Sequence, residues 1–347
     1  MSQRHKIWIL FNLLALAVWA EAQNNVSQPH PSLFNSDDVL KICITFDITQ
    51  HIRTKSENYS TGKIIFYETD QDSSSFKVRY KARGNFRKEH CIFPPLMLNF
   101  KPDTLFTDDG YITKIKHVSH CIKSKLYKRI VLEEYLIYKL WEIISPYAMR
   151  TRLLDITYRD TGPKKRNSRH FGFFIEPMYM MTQRTKTIEV KGEYFKDDEI
   201  NQLDADRVAI FNYMIGNTDW RIKSGHNIKF IKRFGHRREE VTAIPYDFDH
   251  SGLINAPYAE PAEWSTAESV MERDYCGHCR LVDDNYHHLI DDFMAVEAEI
   301  IHTIMAFEHL DLKTRKRIHK YIATFYKELK NRKNFIRTLN NNCMERY

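Results

Sequence analysis

The sequence has little of what biases a chain toward a special class. Gly and Pro number 11 each among 347 residues, and no glycine-rich phosphate loop is evident. No segment of 20 to 50 residues repeats, which excludes a solenoid or propeller built from such units. A second C-x-x-C is missing, so Cys276-Gly-His-Cys279 is at most half of a structural zinc site, which needs four ligands. No apolar run beyond residue 19 is long enough to span a bilayer, for which about 20 residues are needed.

What is present places the chain in the ordinary globular class. Hydrophobic residues make up 43%, and 19 Tyr and 21 Phe argue against disorder. Residues 1–22 read as a signal peptide: Arg4, His5 and Lys6 form a charged start, Ile7 to Trp19 an apolar run, and Ala20-Glu21-Ala22 an A-x-A cleavage site. The alternative, a membrane anchor, is disfavoured by the shortness of the run. The absence of cysteine near the cut argues against a lipid anchor. Cleavage after Ala22 removes two bases and one acid, taking the formal charge from +7 to about +6. The expected location is therefore secreted or periplasmic, at the cell envelope, with no transmembrane segment after cleavage. Export makes nucleic acid an improbable partner. Six cysteines in an exported chain can form disulfides, and their fifteen pairings are indistinguishable in sequence.

Residues 23–38 are polar and rich in Asn, Ser and Pro, as in a flexible linker. Residues 39–176 read as an N-terminal β-rich lobe. Strands are expected over Val39 to Asp47, Lys63 to Glu68, Phe76 to Ala82, Leu96 to Lys101 and Tyr111 to Val118, forming an antiparallel sheet. One helix follows over Tyr127 to Ile144, ended by Pro146, and then the strands Arg150 to Tyr158 and Phe171 to Glu176. Residues 177–347 read as a mostly helical lobe, with helices over Asp204 to Ile215, Tyr286 to Ala306 and Lys313 to Leu339. Ten Lys or Arg lie between Lys313 and Arg337, where Ile318, Ile322, Phe325 and Leu329 mark one apolar face. The basic faces suit plain solvation, or contact with an acidic substrate or a membrane surface.

A hairpin interrupts the helical part. Ile228 to Lys232 and Val241 to Tyr246 pair antiparallel across a short turn, which returns Asp247 to the end where Asn227 sits. Asp249 follows, and Asp219 lies upstream in Gly216-Asn217-Thr218-Asp219-Trp220. Mg²⁺ wants oxygen ligands, usually one or two carboxylates plus substrate phosphates. Asn227 and Asp247 supply such a set, which leaves Asp219 to position or deprotonate a nucleophile. Turn and capping roles would place the same residue types at a hairpin end.

Ile215-Gly-Asn-Thr-Asp219, His226-Asn227 and Pro245-Tyr-Asp247-Phe-Asp249 together resemble the catalytic segment of the CotH-type and HipA-type atypical kinases. Ala82-Arg83-Gly84-Asn85, followed by a strand, is similar to the RGN segment of CotH domains. The resemblance covers most of residues 76 to 255. It implies an α+β, two-lobed protein-kinase-like fold, with a β-rich N-terminal lobe carrying one helix and a mostly helical C-terminal lobe. It also implies Asp219 as the catalytic residue and Asn227 and Asp247 as metal ligands, with Asp249 as a second acidic group. The gap from Asp219 to Asn227 is eight residues, where HipA-type loops have five, so Arg221 to Gly225 must bulge.

An active kinase also needs a lysine against the phosphates, steadied by a helix glutamate. Lys116 is preferred over Lys114 for this role, and a cationic partner is expected for Glu134 on the arc of its helix, though Glu133 is close to the same arc and either could simply reach solvent. Glu176 falls where such folds place the adenine-binding hinge. The implied function is transfer of the γ-phosphate of ATP, with Mg²⁺ or Mn²⁺, to an exported protein or other exported acceptor. ATP is scarce outside the cytoplasm, which supports a non-catalytic, pseudokinase-like binding or structural protein as the alternative. A third reading is nucleotidyl transfer.

Overall fold

The computed structural model describes residues 33–68, 72–102, 104–108, 110–192, 195, 199–235, 240–280 and 283–343. The segment read as a signal peptide lies outside them, as do residues 23–32 of the expected linker. Leu33 and Phe34 are buried, packed with the interior of the first sheet.

Alternation of inward and outward side chains builds that sheet. Its strands are β1 (Leu40–Phe46), β2 (Ser60–Tyr67), β3 (Ser73–Ala82) and β4 (Leu96–Asn99). A separate pair, β5 (Leu105–Thr107) and β6 (Gly110–Ile112), interrupts the chain before β7 (Lys114–Val118), β8 (Thr151–Asp160) and β9 (Ser168–Ile175). The seven strands close in the order β1-β2-β3-β4-β7-β9-β8. Six neighbouring pairs are antiparallel. The seventh, β1 with β8, is parallel and runs from Leu40↔Leu154 to Phe46↔Asp160. Closure leaves the barrel itself without an edge strand. Ile44, Ile64, Phe66, Leu98, Ile156 and Phe174 fill the interior. Each contributes about 1.5–3 kcal/mol by leaving water.

Among the described residues nine helices accompany the barrel. Three belong to its half of the chain: α1 (Ile48–Thr54), α2 (Phe86–His90) and α3 (Lys125–Ile144). Ser124 caps α3 by accepting from Tyr127 N at 3.2 Å. This helix is covered by β8 and β9 on one side and by a C-terminal helix on the other, so even Glu133 and Glu134 are buried. There follow α4 (Met178–Thr185), the strand β10 (Thr187–Glu189) and α5 (Gln202–Ile215). Two further strands, β11 (Ile228–Arg233) and β12 (Thr242–Pro245), pair antiparallel with Ile228 opposite Pro245, and β10 lies on the other side of β11. Part of their expected turn, 236–239, lies outside the described residues. The chain ends in α6 (Asp284–Ala295), α7 (Glu297–Ala306), α8 (Leu312–Lys330) and α9 (Arg332–Asn342).

The expected two-lobed, protein-kinase-like α+β fold with one N-terminal helix is corrected by these findings. The two strands expected after the helix, β8 and β9, are barrel staves, and β8 closes on β1 more than a hundred residues earlier. Local periodicity carries no trace of so distant a pairing. The segment after Arg83-Gly84-Asn85, read as a strand, is the short helix α2. The two long C-terminal helices each divide, at Val296 and Asn331.

Disulfides join Cys91 to Cys121 and Cys279 to Cys343, while Cys43 and Cys276 are buried thiols. Cys276 and Cys279 therefore do not act as a zinc pair. No helix among the described residues is long and apolar enough to cross a membrane.

Candidate metal and phosphate site

Helix α5 ends at Gly216, whose φ of +65 suits a residue without a side chain. A Cβ there would come within 2.1 Å of the Tyr321 hydroxyl. The loop that follows is fixed on both sides. Asn217 Oδ1 accepts from Asp219 N at 3.1 Å, and Trp220 Nε1 donates to Asn217 O at 3.1 Å. Trp264 Nε1 reaches Thr218 O at 3.0 Å. The result is a rigid mount for the partly exposed carboxylate of Asp219.

The eight-residue gap to Asn227 closes on itself. Arg221 N donates to His226 O at 2.9 Å, His226 N donates back to Arg221 O at 3.0 Å, and Gly225 turns the loop with φ of +62. Asn227 is thereby carried back to Asp219, and its Nδ2 donates to Asp219 O at 2.7 Å and to Asp219 Oδ2 at 2.9 Å. His226 Nε2 lies 2.7 Å from the other oxygen, Oδ1. Both carboxylate oxygens of Asp219 are thus held in place.

Across the hairpin, Tyr246 N donates to Asn227 O at 3.0 Å, so Asp247 begins one residue from that bond. Asp247 is left-handed, with φ of +65, and its N–H donates to the Tyr138 hydroxyl at 3.0 Å. Asp is one of the few residue types with a side chain that takes up this conformation readily. Glu134, Asp247 and Asp249 each place a carboxylate oxygen within 4.8 Å of the others. Three acids from a helix and a loop converge there.

Their cation is Arg87, from α2. Its Nη2 donates to Glu134 Oε2 at 2.5 Å and its Nε to Asp249 Oδ2 at 2.9 Å, and Tyr258 OH adds a second bond to Asp249 Oδ2 at 2.9 Å. Burial pushes Glu134 up to about 8 against the pull of Arg87, with Asp249 and Asp247 adding to the rise. Asp247 is raised by burial and then by Asp249. Burial acts on Asp249 too, but Arg87, His250 and the hydrogen bonds outweigh it and hold this acid below its ordinary value. Arg87 thus pairs directly with two of the three acids, while Arg83 and Lys116 also act on the half-buried Asp247.

The arrangement fits a divalent cation on a direct observation. Glu134 Oε1 is buried and has no hydrogen-bond partner among the described residues. Leaving such an oxygen unsatisfied costs about 1–3 kcal/mol, more for a charged group. Oxygen-only donors of this kind match the preference of Mg²⁺ or Mn²⁺.

The other expected site residues divide. Lys116, on β7, sits with Nζ 5.0 Å from the Tyr246 ring centre, and Lys229 approaches the same ring at 5.6 Å. Burial, then the nearby Arg83 and Lys229, lower the Lys116 ammonium to about 8, opposed by Asp247. The lysine is near the acids but is not the partner of Glu134; that place belongs to Arg87. Glu133 is paired separately, with Arg317 and Arg129. Glu176 is fully committed elsewhere. It accepts from Arg150 N at 3.0 Å, Arg150 Nη2 at 3.0 Å and Arg184 Nη2 at 2.8 Å, tying β9 to α4. Asp219 and Asn227 form one bonded pair, and Glu134, Asp247 and Asp249 form one cluster.

Arg87, His226, Tyr138 and Tyr258 were not singled out from sequence as site residues. Arg87 lies two residues past the quoted Arg83-Gly84-Asn85, and His226 adjoins Asn227, so proximity to the motifs was the available signal. A cleft of ≈ 670 Å³ opens beside Asn227, lined by Glu189, Lys191, Ser224, Gly225 and Lys229 among others. No family model matches this chain, and no curated protein matches it.

Proposed function

We propose that this protein is a metal-dependent phosphotransferase that moves the γ-phosphate of ATP to an exported protein or other exported acceptor. The observation that carries the reading is the convergence of Glu134, Asp247 and Asp249 within 4.8 Å beside the bonded pair of Asp219 and Asn227. Asp247, Asp249 and Asn227 would hold Mg²⁺ or Mn²⁺, which supplies charge neutralisation on the phosphates. Asn227 keeps its amide oxygen for this, since its nitrogen is given to Asp219. Asp219 accepts the proton of the acceptor hydroxyl, held in one orientation by Asn227 and His226. Lys116, with Arg83 and Lys229 nearby, forms the cationic side of the site that suits phosphate oxygens. The motif resemblance to the CotH-type kinases supports these roles, and the leader-like residues 1–22 support export.

A second reading, a non-catalytic binding protein, is favoured by Arg87. Its guanidinium bridges Glu134 and Asp249, and a purely structural ion network would use the same two contacts. Purified protein decides between them. ATP with Mg²⁺ or Mn²⁺ at a hundred times its Kd should add about 2.7 kcal/mol to stability, visible as a rise in melting temperature. Label from the γ-phosphate should then appear on the acceptor. No thermal rise removes the enzymatic reading, and transfer of the α-phosphate in its place means nucleotidyl transfer.

A further inference from the structure

Helix α8 carries a line of lysines that nothing in the described fold uses. At 100° per residue, Lys313, Lys316, Lys320 and Lys327 fall within an arc of about 60°, and at 1.5 Å per residue the line is about 21 Å long. All four are exposed, and none makes an ion pair or hydrogen bond through its side chain among the described residues. The helix has a single acid, Glu328, which is taken by Tyr213 and lies close to Arg273. Its arginines face the protein: Arg315 donates to Met305 O, and Arg317 to Leu253 O at 2.6 Å and to Glu133.

We propose that this stripe docks an acidic segment of a partner protein in an extended conformation. An extended chain rises about 3.3 Å per residue, so six or seven residues span the line. A bilayer is the poorer match. Helices that lie on membranes embed their apolar face, whereas Ile318, Ile322, Phe325 and Leu329 of α8 are fully committed to the core. Nucleic acid is also the poorer match for a chain whose leader-like residues 1–22 point to export, and the exposed cations are lysines, compact point charges able to pair with carboxylates. Arg317 anchors the flank of the stripe four residues after Asp249 and on the neighbour of Glu134. If the segment belongs to the acceptor, a step that rests on the phosphotransfer reading, the stripe brings that acceptor to the site.

The test is fluorescence anisotropy of a labelled oligoglutamate peptide of about eight residues. The unaltered protein should bind it, more weakly as ionic strength rises toward about 0.15 M. The variant K316E/K320E/K327E should lose at least about tenfold in affinity, K316R/K320R/K327R should keep most of it, and both should melt with the unaltered protein. Absence of binding, or equal binding by the glutamate variant, overturns the proposal. So does preferential binding of phosphatidylserine vesicles or of an oligonucleotide through the same lysines. Asp219→Asn, tested in parallel, should bind the peptide normally. Stripe-dependent binding in a protein that transfers no phosphate leaves the docking surface standing and the enzymatic reading fallen; transfer without such binding does the reverse.

Discussion

The guanidinium of Arg87 lies 2.5 Å from Glu134 Oε2, so the acid of α3 is answered by an arginine of α2 and not by a lysine of β7. The two side chains are 11% and 1% exposed. Removing one member of so buried a pair leaves the other uncompensated, at a cost of about 3–5 kcal/mol. Arg87→Ala should therefore destabilise by that order in urea unfolding, and Glu134→Gln in the same background should recover part of it. Lys116→Ala combined with Glu134→Gln should instead be additive within about 0.5 kcal/mol. Coupling to Lys116 and none to Arg87 would reverse the assignment.

Asp219 and Asp247 should fail differently. Asp219 is bonded to Asn227 and His226 and stands outside the cluster of three acids. Asp219→Asn should cut phosphate transfer by about a hundredfold or more, the usual worth of a positioned base, with nucleotide affinity nearly unchanged. Asp247→Ala should weaken binding of the metal-nucleotide complex itself, read by calorimetry. Identical losses in both variants would show that the two roles are misassigned.

Sequence alone indicated the proximity of Asp219 to Asn227 and of Asp247 to Asp249 and misjudged the frame around them. The motif around Asp219, Asn227, Asp247 and Asp249 is legible because its residues lie within about thirty positions, where a loop and a hairpin determine who meets whom. Glu134 is legible because a carboxylate on the buried arc of an amphipathic helix demands a partner. The partner was not legible. Arg87 reaches it from 47 positions away, a distance over which no periodicity operates. Barrel closure fails to show for the same reason: β1 and β8 have the composition of any strands, and only tertiary packing makes them neighbours.

The Cys91–Cys121 disulfide should support the site from outside it. Cys91 caps the end of α2, the helix that carries Arg87, and Phe93 N donates to Cys121 O at 2.9 Å beside the bridge. A loop of 30 residues closed by a disulfide corresponds to about 3–4 kcal/mol of lost freedom in the unfolded chain. Cys91→Ala with Cys121→Ala should lower stability by that order. If the bridge also holds α2 in place, the double variant should bind metal-nucleotide more weakly. Unchanged binding at temperatures where the variant is still folded would mean that Arg87 is held by its ion pairs alone.

Acid should weaken the barrel through its buried histidines. His51 packs edge-on against Phe46, Tyr80 and Phe93, and His117 lies against Tyr158 and Phe174. Burial lowers His51 to about 4, opposed by a hydrogen bond that the ring donates to the Pro94 carbonyl, and burial with the nearby Arg83 and His51 lowers His117 to about 3. In the unfolded chain the same rings take up protons near pH 6.5. Below that pH the unfolded state binds more protons than the folded one, so stability is full above pH 6.5 and falls as pH drops toward 4 and 3. At 1.36 kcal/mol per unit, His51 alone removes about 3 kcal/mol over its interval. Urea midpoints measured from pH 7 to pH 4.5 should fall accordingly, and His51→Phe should flatten part of the slope. A variant whose midpoint falls as steeply as that of the unaltered protein would show that His51 is not kept neutral by the barrel.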